Sequence, residues 1–245
     1  MIDATILFLL LIVFLATLVR STFGFGEGLV ALPLLALIMP IKIAAPVVVL
    51  LSITIAAVVV AQDWNKIHLS SASWLLAPTF VGIPLGVVLL ASRHQNFVKV
   101  ALAVVIMLFS GYFLISKNLP ELRSDSRIWL LSCGFFAGVL GGAYGLNGPP
   151  LVVYGSMRRW TPQHFRATLQ GYFLPASIVG MMGYYFAGLW VHAVTRYYLI
   201  SLCVALPTIF LGRFVNRRLS GDTFLKTVYG GLVCVGMVLL AEALR

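Results

Sequence analysis

Glu27 lies in the run "STFGFGEGLV" (residues 21–30), with long apolar stretches on both sides and Arg20 just before it. The chain has seven acidic residues, and the other six fall in polar stretches or near the ends of the sequence. An acid in the middle of a bilayer costs about 2.5–3.5 kcal/mol on insertion scales, so such a group faces protein and marks a pathway. Two roles fit Glu27. It is either a proton-binding site coupled to transport, or a carboxylate that satisfies the first turn of its own helix. Ionised at a helix start, it would compete with an anionic substrate for the same backbone amides; protonated, it would not. That mutual exclusion is one route by which a proton couples to an anion. For Arg20 the choices are lining the same cavity, pairing with Glu27, or snorkelling to the interface.

Around Glu27 stand Gly24, Gly26 and Gly28, and a second cluster, "YGLNGPP" (144–150), holds Gly145, Asn147 and Gly148. A helix broken inside a membrane exposes amides and carbonyls that must meet protein or a watery cavity. A half-helix that starts there aims its amides and positive dipole end into the cavity, which suits an anion. Asn147 or Gly148 fits the N-cap and Pro149 the first helical position. The first cluster makes the same kind of start near Gly28. The competing reading is close helix packing, because Gly24 and Gly28, Gly82 and Gly86, and Gly134, Gly138 and Gly142 are spaced by four. No strand–helix–strand context supports a dinucleotide site.

In "QHFRATLQGY" (163–172), Arg166 and Gln170 share one helix face. Arg166 either attracts an anion or anchors the helix at the cytoplasmic surface. His68, His94, His164 and His192 are scattered, as are Cys133, Cys203 and Cys234, so neither a metal site nor a cofactor is expected. No Ser, His and Asp set and no intramembrane acidic pair emerges, which gives a membrane-embedded enzyme little support. A scaffold subunit that carries no substrate is a third reading.

The elements that hold these residues follow from composition. The 245-residue chain is 61% hydrophobic and only 10% charged, with mean hydropathy +1.03. Soluble domains carry roughly 25% charged residues. The expected class is an all-α polytopic membrane protein, with the lipid bilayer as its surroundings. The net charge of +10 sits in short loops rather than along a solvated stripe, so nucleic acid is not an expected partner. Apolar segments run over 4–20, 28–39, 44–61, 72–91 and 98–116, then 128–140, 149–157, 165–187, 194–212 and 224–243. A polar linker (117–127) separates a first repeat (1–116) from a second (128–245). Each half opens with a glycine-broken segment, and the breaks lie about 121 residues apart.

Alternating the loops puts Lys42, Arg93, Lys99, Arg158, Arg159, Arg166, Arg213 and their neighbours on one side, ten basic residues in all. Six, among them Lys66, Lys117, Arg123, Arg127 and Arg196, fall on the other. The richer side is expected to be cytoplasmic and both termini non-cytoplasmic. This alternation makes the halves parallel, with about eight crossings as two four-helix repeats, if each broken opener makes one net crossing. Part of the longer first opener is allowed to fold back.

These residues resemble the sulfite exporter TauE/SafE family, whose repeated signature is a glycine cluster followed by apolar residues and often a proline. Here the copies read Gly24-Phe25-Gly26-Glu27-Gly28, continuing to Pro33, and Gly145-Leu146-Asn147-Gly148-Pro149; "FRATLQGYF" (165–173) resembles the helix after the second copy. Glu27, Asn147 and Pro149 stand where the family prefers glycine. The resemblance implies a secondary transporter of a small, often sulfur-containing anion such as sulfite or an organosulfonate, in a bacterial-type inner membrane. Alternating access would come from one half moving against the other. Gly24, Gly26, Gly28, Gly145, Asn147 and Gly148 would offer donors, Glu27 would couple protons, and Arg166, Gln170 and Arg20 would attract or orient the anion.

Overall fold

The computed structural model describes residues 4–63, 69–92, 95–115, 127–158 and 162–216, with positions 233, 237, 240 and 241 in addition. The expected segment 224–243 and the linker lie almost wholly outside the described residues. What is described is helical: α1 (Ala4–Phe23), α2 (Glu27–Ala36), α3 (Ile41–Asp63), α4 (Leu69–Ala91), α5 (Gln95–Ile115), α6 (Arg127–Tyr144), α7 (Gly148–Met157), α8 (Pro162–Phe186) and α9 (His192–Asn216). Five of them are long and apolar enough to cross a membrane: α1, α3, α4, α6 and α9. Helix α8 is 25 residues long, about 37 Å at 1.5 Å per residue, but more polar because it carries Gln163, His164, Arg166, Thr168 and Gln170. Large apolar side chains such as Leu108, Phe136 and Phe186 point outward. Outside water they need no cover, which is the logic of a chain that spans a bilayer several times.

Both expected breaks occur, at residues 24–26 and 145–147. Each is followed by a helix of 10 residues, about 15 Å long and half the depth of a bilayer core. Left-handed backbone makes the breaks: φ is 87° at Gly24, 102° at Gly26 and 67° at Gly145, values that side-chain-bearing residues rarely adopt. Helix α2 starts at Glu27, with Gly26 as its N-cap, and α7 at Gly148.

Helix directions correct the expected topology. Glycines press α4 onto α6: a Cβ on Gly134 would meet the Leu75 carbonyl, on Gly138 that of Thr79 and on Gly142 that of Ile83. Residue numbers rise together, so α4 and α6 run in the same direction. Helix α8 joins them. Thr79 Oγ1 lies 2.8 Å from the Gly134 carbonyl and 2.7 Å from the Tyr172 hydroxyl, while Tyr184 reaches the Gly141 carbonyl at 3.5 Å. Since α6 and α8 share a direction, α7 must turn back between them. The break at 145–147 is therefore a reversal, and the second opener does not make the single net crossing expected of it. The glycines that permit a break also permit a hairpin, and spacing does not distinguish the two.

The relation between the halves changes with it. Lys42 Nζ donates to the Ala91 carbonyl at 3.0 Å, tying the start of α3 to the end of α4, so these two are antiparallel. Helix α3 then opposes α8, its counterpart in order, where the expected parallel repeats require the two to agree. Helices α3 and α9 run together, with Thr54 on Tyr198 at 2.7 Å and Arg213 Nη1 donating to Gln62 Oε1 at 2.9 Å. The shared direction also undoes the charge grouping: Lys42 begins α3 and Arg213 ends α9, so two residues sorted to one side lie at opposite ends of parallel helices. Helix contacts come in mates: α4 on α6 and α9 on α1, α4 on α8 and α9 on α3, with α3 on α8 between them.

Candidate functional site

Arg20 is among the largest fully buried side chains of the described residues, 1% exposed, and Glu27 is 4% exposed. They form an ion pair between Arg20 Nη1 and Glu27 Oε2. They stand seven positions apart in sequence, and the reversal at Gly24 to Gly26 folds the start of α2 back against the end of α1. Of the roles open to Arg20, two are observed together: it pairs with Glu27 and lines the cavity beside it. Arg20 Nη1 also donates to Ser52 Oγ at 2.9 Å, and Ser177 donates to Ser52 at 3.1 Å. Arg20 Nη2 reaches Gln170 Oε1 at 3.4 Å, and Gln170 Nε2 donates to the Gly24 carbonyl at 2.9 Å. The guanidinium carbon stands 4.5 Å from the centre of the Phe173 ring, within cation–π range.

Two buried polar atoms in this cluster have no protein partner: Arg20 Nε and Glu27 Oε1. Buried donors and acceptors are nearly always paired, so an orphan of each kind in one ion pair needs a reason. Beside them is a cavity of about 10 Å³, lined by Arg20, Gly26, Glu27, Gly28, Ser52 and Phe173, and across from these by Gly145, Gly148 and their neighbours. That volume admits roughly one water molecule. Both half-helices begin at its wall, so two positive dipole ends converge there. They are unequal donors. The first turn of α2 presents the amides of Glu27, Gly28 and Leu29, whereas Pro149 and Pro150 remove two from α7. The hairpins touch: a Cβ on Gly28 would lie 2.7 Å from the Gly145 carbonyl oxygen.

The structure thus brings together Arg20, Glu27, Gly26, Gly28, Gly145 and Gly148, with Gln170 and Gly24 bonded behind them. Asn147 goes elsewhere. Its side chain fills the space over Gly141, whose Cβ would lie 2.2 Å from Asn147 Nδ2. The side chain of Arg166 lies outside the described residues. Sequence reasoning missed Ser52, Ser177 and Phe173. A hydroxyl in the middle of an apolar run was the available signal for the two serines; for Phe173 there was none.

The family model for the sulfite exporter TauE/SafE family matches residues 9–239. The chain belongs to that family. A probable sulfite/organosulfonate exporter TauE from Cupriavidus necator is 23% identical over 239 residues, covering 93% of this chain and 91% of that protein. No solved structure matches the chain. Membership places it among multi-pass membrane transporters, in keeping with its apolar helices.

Proposed function

We propose that the protein is a proton-coupled secondary transporter of a small anion, sulfite or an organosulfonate, in the bacterial inner membrane, and that the anion binds Arg20 between the two breaks. The observation that carries this reading is the buried Arg20–Glu27 pair with one unpartnered polar atom on each side, set where two helix N-termini converge. Glu27 holds the place an oxyanion would take. A proton on Glu27 turns it from a competitor into a neutral group, frees Arg20 Nη1 for the anion and moves with it. Ser52, the first amides of α2 and Arg20 Nε supply further donors, and Gln170 bonded to the Gly24 carbonyl holds the guanidinium in place.

The cavity admits one water, so binding needs the hairpins to part. The two halves act as inverted repeats that open the site to one side and then to the other, a common device of secondary transporters. The paired pattern of helix contacts and the opposed α3 and α8 support this arrangement. Uptake into proteoliposomes of labelled sulfite, methanesulfonate and acetate, with and without a pH gradient, tests the reading. Sulfite or methanesulfonate should accumulate when the gradient drives protons in the same direction. If none of the anions moves or binds, the reading fails.

A further inference from the structure

Resting on the transport reading above, we infer that Phe173 sets the size of substrate the site accepts, by occupying the space that the organic part of a larger anion would need. The walls of the cavity differ in how far they can yield. Gly26, Gly28, Gly145 and Gly148 present backbone, and the Gly28 Cα already faces the Gly145 carbonyl so closely that no methyl fits between them. Leu29, Leu146 and Pro149 belong to the hairpins themselves. Phe173 is different. It reaches in from α8, lies over the guanidinium, and is the largest side chain on the wall after Arg20.

The ring is held in place. It is 4% exposed, stands edge-to-face to Tyr172 at 5.8 Å, and a Cβ on Gly148 would touch it at 4.0 Å. Tyr172 is itself fixed on Thr79. An oxyanion on Arg20 therefore meets a flat apolar stop at Phe173, with Ser52 and the residues of the two hairpins making up the rest of the wall. Once the hairpins part, an anion with little or no substituent sits against the ring, while one with a bulky apolar substituent must also displace it and lose its contact with Arg20. A smaller residue at 173 opens an apolar pocket that begins at the anion-binding group. Apolar pockets discriminate roughly 10–200-fold for small changes in substituent size, which sets the effect to look for.

Wild type, Phe173→Ala and Phe173→Leu are reconstituted, and uptake of labelled sulfite is measured in competition with methanesulfonate and benzenesulfonate. Binding is read in parallel from anion-dependent thermal stability in detergent, with Phe173→Leu as the milder change should Phe173→Ala fold poorly. For wild type, methanesulfonate should compete at least about tenfold better than benzenesulfonate; Phe173→Ala should narrow or reverse that ratio by at least about tenfold, with Phe173→Leu intermediate. Equal competition by the two sulfonates in wild type overturns the inference, as does a ratio that neither substitution changes. In both cases sulfite still moves, so the transport reading stands. Absence of sulfite uptake and binding in wild type defeats both.

Discussion

Replacing Glu27 with glutamine probes the site most sharply, because it removes a charge and almost nothing else. Breaking a buried ion pair from one side costs about 3–5 kcal/mol, since the remaining charge is left uncompensated. Glutamine keeps a carbonyl oxygen that can accept from Arg20 Nη1, which returns about 1 kcal/mol. The expected destabilisation of Glu27→Gln is therefore about 2–4 kcal/mol. An anion can then take the vacated place without displacing a carboxylate. Ligand at 100 times its Kd stabilises a protein by about 2.7 kcal/mol, comparable to that loss. The assay is thermal unfolding in detergent over a series of sulfite concentrations and pH values. Without sulfite the variant should melt below wild type, and sulfite should recover most of the difference. At equal sulfite concentration the variant should gain more stability than wild type, whose carboxylate holds the place of the anion. If sulfite stabilises the two proteins alike at every pH, Glu27 does not compete with the anion.

Further outcomes follow from individual contacts. Arg20→Lys keeps the charge but not the planar fork that meets Glu27, Ser52 and Gln170, so sulfite uptake should fall at least about tenfold, measured in vesicles. Gly28→Ala places a methyl 2.7 Å from the Gly145 carbonyl oxygen and should cost about 1–3 kcal/mol by melting, with uptake lost. Tyr172→Phe removes the hydroxyl on Thr79 and should cost about 1 kcal/mol while sulfite transport persists. In a background without native cysteines, Gln62→Cys with Arg213→Cys should cross-link through a short bifunctional thiol reagent, since these side chains touch. Failure to cross-link would reopen the assignment of α3 and α9 to a common end.

The glycine breaks were legible in the sequence because few other residues adopt the left-handed conformations of Gly24, Gly26 and Gly145, and because Pro149 marks a helix start. The burial of Glu27 was legible too, as the one acid far from any polar stretch. What the sequence hid was direction. A half-helix of 10 residues adjoining a longer apolar run reads equally as the rest of a crossing or as a return. The parallel repeat and the sorting of basic residues both depended on that choice. Asn147 stands just before α7, at the cap position its type suits, but its side chain fills the space over Gly141. Ser52 and Ser177 were hidden because a hydroxyl adds little polarity to an apolar helix and gains meaning only when Arg20 comes within reach.

The claim that Arg20 is the anion-binding group, with Glu27 as its resting partner, is tested most directly by labelled sulfite uptake into vesicles holding wild type or Arg20→Gln, under an imposed pH gradient. Wild type should accumulate sulfite and carry protons with it, as reported by a trapped pH dye. Arg20→Gln, reconstituted in equal amount and folded by size-exclusion profile, should do neither. Undiminished sulfite uptake by Arg20→Gln would contradict the account.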